Sequence, residues 1–274
     1  MDSDTINFAQ ITLGIEIGKG TFGKVYKAKW LNKDVAVKKI YLGVDEEVTR
    51  REFQLLSRAN HENIIFLHGI SLHDHNTYLI MEYMDGGSLS DFLHVKKTKY
   101  DLRHIFNWAR QCAEAVAYLH SKTPKCVIHR DLKPLNLLLN DSYRCLKVCD
   151  FGSVRYLASS MSAEAGTVEY MAPEVISGRK YTEKCDVFSW SIILWEMLSR
   201  EQPYKHIANK IDKMKEIQQG LRPELDKIQY DNVPESVSQL MTDGWSLEAD
   251  KRPTMDNIIT VFKQFTYTPE ELIL

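Results

Sequence analysis

The sequence lacks a long hydrophobic run. Its charge-free apolar stretch toward the C-terminal half, Val187 to Trp195, covers about nine residues, whereas a membrane-crossing helix needs about twenty. The first residues, Met1-Asp2-Ser3-Asp4, are acidic and offer no apolar core of the kind a secretory leader carries. No Cys-x-x-Cys occurs. The 5 cysteines, Cys112, Cys126, Cys145, Cys149 and Cys185, are odd in number. A disulfide framework and a zinc knuckle are both disfavoured. Neither sign of charge dominates, since 35 basic residues face 37 acidic ones. That balance gives no electrostatic footprint for nucleic acid or an anionic membrane surface. No internal repeat or low-complexity tract is present. The expectation is a soluble, cytoplasmic protein without a nucleic-acid partner or a membrane span.

What is present is an ordinary globular mixture. The chain has 274 residues, 44% hydrophobic and 26% charged. That is enough for one large domain or two modest ones with a real core. The first third reads as strands. Ile11 to Ile17, Val25 to Trp30 and Val35 to Ile40 alternate or are β-branched, with turns at Gly18-Lys19-Gly20 and Asn32-Lys33-Asp34. A helix is predicted from Asp45 to Arg58, then strands from Ile64 to Leu72 and Thr77 to Tyr83. After Asp85-Gly86-Gly87-Ser88 the period becomes helical. Leu102, Ile105, Phe106, Ala109, Cys112, Ala113, Val116 and Leu119 recur at three- and four-residue spacing. Asp186 to Leu198 and Met255 to Phe265 read the same way. The fold class is α+β, a small strand-rich lobe and a larger helical lobe hinged near Glu82 to Gly87.

Four short motifs carry chemistry. Gly18-Lys19-Gly20-Thr21-Phe22-Gly23-Lys24-Val25 fits G-x-G-x-x-G-x-V. A dinucleotide-binding turn would pass from strand to helix, but here strand continues after the glycines. A strand–loop–strand of this kind can lie over a nucleotide, its backbone N–H groups near the phosphates. Lys38 closes Val35-Ala36-Val37-Lys38, and Glu52 on the predicted helix is a partner that could hold its ammonium on the α- and β-phosphates. Glu46 and Glu47 compete for that role but suit the helix start. His129-Arg130-Asp131-Leu132-Lys133-Pro134-Leu135-Asn136 is the strongest signal. Asp131 can accept a hydroxyl proton, Lys133 can neutralise a transferring phosphoryl group, and Asn136 can hold magnesium. Asp150-Phe151-Gly152 follows a short strand, and Mg²⁺ prefers one or two such carboxylates with phosphate oxygens, so Asp150 with Asn136 suffices. Ala172-Pro173-Glu174 ends the polar segment that begins there.

In this order the motifs resemble a protein kinase from about Ile11 to Phe265. Lys133, two residues after Asp131, resembles the serine/threonine type. Met81-Glu82-Tyr83, Gly86-Gly87-Ser88-Leu89, Asn136-Leu137-Leu138-Leu139, Val148-Cys149-Asp150 and Glu183-Lys184-Cys185-Asp186-Val187-Phe188-Ser189-Trp190 are similar to the transforming-growth-factor-β-activated kinases, a MAP kinase kinase kinase family. Thr167-Val168-Glu169-Tyr170 departs from that family's serine and tryptophan.

The resemblance implies ATP and Mg²⁺ as cofactors. Asp131, Lys133, Asn136, Lys38 and Glu52 would be catalytic, with the metal on Asn136 and Asp150. Ile17, Gly18, Lys19, Gly20, Thr21, Phe22, Gly23, Val25, Ala36, Lys38, Met81, Glu82, Met84, Leu138 and Cys149 would contact the nucleotide. Met81 would be the gatekeeper. Leu56, Leu67, His129 and Phe151 would stack into a spine, and Glu174 would pair with Arg252. Ser159 and Ser162 would be loop phosphosites facing Arg130. The substrate would be a protein, a MAP kinase kinase, with a possible activating binding protein and a monomer or transient dimer as the oligomeric state.

Residues 1–10 read as a short N-terminal extension, 11–266 as the kinase domain (lobes 11–83 and 84–266) and 267–274 as a tail. A pseudokinase or scaffold is the rival reading, disfavoured because Lys38, Glu52, Asp131, Asn136 and Asp150 are all present. A metal site at His73-Asp74-His75 is also disfavoured, since the resemblance makes that cluster a surface turn.

Overall fold

Strand pairing in the first third follows from the β-branched alternation. The computed structural model describes residues 5–20, 23–41, 53–96, 98–122, 126–151, 155–156 and 167–273. The chain divides into two units. One takes Met1–Asp85 with Cys149–Gly152, the other Gly86–Val148 with Ser153–Leu274.

The first unit is a five-stranded antiparallel sheet. Its strands are β1 (Ile11–Lys19), β2 (Gly23–Trp30), β3 (Lys33–Ile40), β4 (Leu67–His73) and β5 (Asn76–Glu82), in the order β1-β2-β3-β5-β4. Side chains alternate between faces along each strand. Val35 and Val37 therefore face one way, with Ala28, Tyr78 and Ile80, and form a core cluster with Ile6 and Ile11. Ala36 and Lys38 face the other way. The residues just before β1 close this unit. Thr5 bridges Ile70 in parallel, the Ile6 N–H donates to the Ile70 carbonyl at 2.7 Å, and Phe8 stacks on His73 at 4.2 Å. Residues 53–58 are helical (α1), with Leu56 buried. The rest of the helix expected from Asp45 lies outside the described residues. The β4–β5 turn places Asp74 and His75 at positive φ, so His73-Asp74-His75 is a turn. Among the described residues no cluster of acidic, His or Cys side chains has the makings of a metal site.

β4 begins at Leu67, later than the expected Ile64. A turn at His61 takes the amides first: Asn63 N–H donates to His61 Nδ1 at 3.1 Å and Ile64 N–H to the His61 carbonyl at 3.1 Å. Ile64 and Ile65 are buried as core without joining the ladder.

The second unit opens with β6 (Gly87–Ser88) and α2 (Leu89–His94), whose Ser88 hydroxyl caps the Asp91 N–H at 3.1 Å. α3 (Leu102–His120) buries the periodic face read from the sequence and starts on Asp101, which accepts from the Arg103 N–H at 3.0 Å. Short strands β7 (Val127–Ile128), β8 (Leu137–Leu139), β9 (Leu146–Val148) and β10 (Arg155–Tyr156) follow, with β8 between β6 and β9. Then come α4 (Pro173–Ile176), α5 (Lys184–Ser199), α6 (Lys210–Gln218), α7 (Glu235–Gly244) and α8 (Met255–Phe262). α5 is apolar on every side, as a helix at the centre of a lobe must be. α3 packs on both α5 and α8. Phe262 meets Trp190 and Phe106 edge to face. α8 stops three residues before the expected Phe265. The last turn tightens, with the Phe265 N–H donating to the Phe262 carbonyl, while the Phe265 ring still packs on Phe106 at 5.0 Å. Hydrophobic period reads burial, which outlasts the helix.

Two arginines brace this unit. Arg200 ends α5 in the left-handed region, and its guanidinium donates to the carbonyls of Phe92, Leu93, Lys96 and Thr98 at 3.3, 2.8, 2.6 and 3.0 Å. It thereby satisfies the C-terminal carbonyls of α2. Arg252 has a side chain 0% exposed and grips Glu174 with two bonds of 2.7 and 2.8 Å. It also donates to the Lys184 and Ser246 carbonyls. Glu174→Ala should destabilise the protein by about 3–5 kcal/mol, because a buried guanidinium loses its counter-charge. A melting temperature clearly below wild type is the expected result of a thermal scan. An unchanged one would mean the pair contributes nothing.

Candidate active site

One face of the first unit carries the expected nucleotide residues in rows. Val25 pairs with Lys38 and Lys38 with Leu79, while Lys27 pairs with Ala36 and Ala36 with Met81. Cross-strand partners share a face. Val25, Ala36 and Met81 thus form an apolar strip with the Lys38 side chain beside it. Met81 and Ala36 are 8% and 9% exposed and Lys38 is 6%. Ile17, Gly18 and Lys19 end β1 at the sheet edge, with Gly18 opposite Val25, and Gly20 follows, its N–H donating to the Gly23 carbonyl at 2.9 Å. Thr21 and Phe22 lie outside the described residues. A Cβ on Gly23 would sit 2.2 Å from the Lys39 carbonyl oxygen, so glycine is required where the loop re-enters the sheet. The Glu82 N–H donates to the Phe66 carbonyl at 2.9 Å, and Met84 follows half-buried.

Lysine is rarely buried without a partner. Lys38 Nζ donates to Asp150 Oδ1 at 2.9 Å. Asp150 takes a positive φ of 62°, a strained backbone state for a residue with a Cβ. Cys149 is half-buried beside it. Glu52, the expected carboxylate for Lys38, lies outside the described residues.

The second unit holds the other half of the predicted set. Asp131 is 8% exposed and Asn136 4%. Lys133 Nζ donates to Asp131 Oδ2 at 2.7 Å. Asn136 Nδ2 donates to the same oxygen at 3.0 Å and to the Asp131 carbonyl at 2.8 Å. The Asn136 amide nitrogen is committed to Asp131, so the atom it can offer a cation is its carbonyl Oδ1. Leu138 lies on β8, paired with Lys147. Of the residues expected to form a spine, Leu56, Leu67 and Phe151 are each buried in the first unit and His129 in the second.

The sequence places Asp186 at the start of an amphipathic helix and in a resemblance motif, without a role of its own. In the structure its side chain is fully buried and organises the loop before Asp131. Oδ2 accepts from the His129 N–H at 2.9 Å and from His120 Nε2 at 2.9 Å, and Oδ1 accepts from the Arg130 N–H at 2.8 Å. Arg130 sits at φ 69°, so both amides converge on one carboxylate only because the backbone is bent. Its guanidinium lies 5.2 Å from the Tyr181 ring centre. Burial alone would raise the Asp186 carboxyl. The bond and charge of His120, the charge of His129 and the Arg130 N–H outweigh it and hold the group below the usual carboxylate value. A signal existed in the sequence, since a carboxylate inside an otherwise apolar helix must have partners. The loop serines Ser159, Ser160 and Ser162 lie outside the described residues.

Chemically, these groups suit phosphoryl transfer. Asp131 is a proton acceptor flanked by a cation, and Lys38 is a cation at the end of an apolar strip. Asp150 in the first unit and Asn136 in the second each carry a hard oxygen donor of the kind Mg²⁺ takes.

Comparison with known proteins agrees. Residues 11–262 match the family model described as "Protein kinase domain". The chain is 48% identical over 260 residues to "Mitogen-activated protein kinase kinase kinase 7" of Drosophila melanogaster, covering 94% of this chain and 38% of that protein. The Homo sapiens protein of the same name is 42% identical over 264 residues, covering 95% and 43%. A "Putative mitogen-activated protein kinase kinase kinase 7-like" protein of Drosophila melanogaster is 38% identical over 261 residues, covering 92% and 66%. The chain spans less than half the length of the first two.

The Asp186 geometry generates a pH prediction. A depressed folded-state pKa adds stability that is present in full above the unfolded value of ~3.9 and is lost as pH falls through the folded one. Wild-type melting temperature should fall between about pH 5 and pH 3. Asp186→Asn should melt lower than wild type at pH 7 and depend less on pH in that interval. Parallel curves for the two proteins would remove Asp186 from the balance.

Proposed function

Because the chain belongs to the protein kinase family, we propose that it is a serine/threonine kinase that moves the γ-phosphoryl group of ATP to protein hydroxyls, with MAP kinase kinases as substrates. The observation that carries the reading is the Asp131 cluster, where Lys133 and Asn136 converge on one carboxylate. A cation two residues along supports the serine/threonine assignment, and the relatives' printed names support the substrate class. Its place of action is the cytoplasm. Among the described residues no helix is long and apolar enough to cross a membrane.

Each residue has a part. Asp131 accepts the proton of the attacking hydroxyl. Lys133 neutralises charge on the group in flight. Lys38 orients the α- and β-phosphates once it exchanges Asp150 for them, and Glu52 holds it there. Val25, Ala36 and Leu138 wall the adenine, and the Glu82 and Met84 backbone pairs with its edge. Ile17, the Gly18–Gly23 loop, Met81 and Cys149 complete the nucleotide's surroundings. Asp150 and Asn136 would hold Mg²⁺, which when bound neutralises phosphate charge. The protein's contribution is positioning and fixed electrostatics.

Asp150→Asn should remove phosphoryl transfer, and Lys38→Met should do the same. Turnover above about a tenth of wild type in purified Asp150→Asn, measured with a peptide library and mass spectrometry, would refute the assignment.

Cysteine chemistry gives a second check. Burial pushes the Cys112 thiol up to about 12, Cys126 to about 11 and Cys185 well above its ordinary value. These three should stay unreactive at neutral pH. An electrophile on an ATP-site scaffold should label Cys149, and ATP should protect it. Unchanged labelling of Cys149→Ser would place the nucleotide elsewhere.

A further inference from the structure

The turn Val168–Tyr170 immediately precedes Met171-Ala172-Pro173-Glu174, and three side chains from other elements hold it. Ser189 of α5 donates its hydroxyl to the Tyr170 carbonyl at 2.7 Å. Lys213 of α6 pairs with Glu169. The Tyr170 hydroxyl donates to Glu196 Oε2 of α5 at 2.6 Å. Burial first, and the Glu196 charge second, push that phenol well above its ordinary value, so it stays a donor.

Glu196 is 1% exposed and has no use in the phosphoryl-transfer scheme. A buried carboxylate needs more than one donor. Its second oxygen, Oε1, lies 2.7 Å from His94 Nε2. An ionised carboxylate only accepts, so the shared hydrogen belongs to the imidazole. His94 is the last residue of α2, and its side chain is 18% exposed. The four carbonyl bonds from Arg200 fix the backbone on either side of it. His94 is therefore delivered to Glu196 by main chain that does not depend on its own side chain. The chain of contacts runs from α2 through α5 to the turn, all within the second unit.

We propose that His94 is a positioning residue for the protein substrate: through Glu196 it holds Tyr170, and with it the turn that receives the peptide beside Asp131. The proposal rests on the kinase reading and adds to it that the segment ending at Glu174 receives the protein substrate. His94 touches neither nucleotide nor phosphoryl group in this scheme. Its loss should therefore act on peptide affinity alone.

The test uses the full chain. His94→Ala should raise the peptide KM by about five- to tenfold, the scale of one ordinary intramolecular hydrogen bond, with the ATP KM unchanged. Tyr170→Phe should move the same constant, and the double variant should lose no more than the worse single one, because both act through Glu196. His94→Gln, which keeps a donor at a similar reach, should restore most of the loss. Amide hydrogen exchange gives a readout independent of activity. Exchange of Val168–Met171 should rise in His94→Ala and return in His94→Gln, with α3 and α8 unaffected. Unchanged exchange in the turn, additive effects of the two substitutions, or an equal loss in ATP and peptide constants would each overturn the proposal. A wild-type protein without phosphoryl-transfer activity would instead sink the kinase reading, and the exchange data would still decide the His94 linkage.

Discussion

A carboxylate with no access to water must be surrounded by donors, and Asp186 draws the second unit's chemistry into place by that requirement. Its two oxygens collect the His129 and Arg130 amides and the His120 ring. This determines where the chain enters the loop that bears Asp131. The positive φ at Arg130 is tolerated because two hydrogen bonds to a charged group outweigh a strain of order 1–3 kcal/mol. The loop's exit is fixed separately, by Asn136 reaching back to the Asp131 carbonyl. Asp131 thus stands between two constraints, one set by Asp186 and the other by Asn136.

The same logic recurs in α5, an apolar helix carrying two deeply buried carboxylates near its opposite ends. Asp186 serves the loop before Asp131, while Glu196 serves the turn before Ala172. Between them the helix is held by aromatic packing, Trp190 donating to the Ala109 carbonyl at 2.9 Å. One rigid rod therefore references both the loop that bears Asp131 and the segment ahead of Glu174. The Glu174–Arg252 pair ties the far end of that segment to the start of α5 through the Lys184 carbonyl. Such buried pairs are weak sources of net stability compared with apolar replacements, but each becomes costly once half of it is gone.

Much of this was legible in the residue order. The glycine loop, Lys38, the Asp131–Asn136 run and Asp150 are local motifs whose spacing is itself the information. The strands of the first unit and the helices α3, α5 and α8 announced themselves by period, whereas α6 and α7 did not. Glu174 and Arg252 were paired by family resemblance, and their bidentate contact bears that out. What could not be read was long-range: Asp186 meets His120 across 66 positions, and His94 meets Glu196 across 102. No periodicity encodes which of many polar side chains a buried carboxylate will find. Boundaries slipped for a related reason. Ile64 is buried and Phe265 is half-buried against Phe106, and such packing does not oblige the backbone to join a ladder or a helix.

The first residues of the chain bear on how the sheet behaves in solution. β4 is the last strand in its order, and a strand in that position presents unpaired amides and carbonyls to any other strand that passes. Thr5 and Ile6 occupy part of that margin, and Phe8 covers the neighbouring ring of His73. A fusion partner or a proteolytic cut that peeled this segment away would uncover a template with Ile70 at its centre. The first symptom would be sheet-to-sheet self-association and turbidity, well before any change around Asp131 in the second unit.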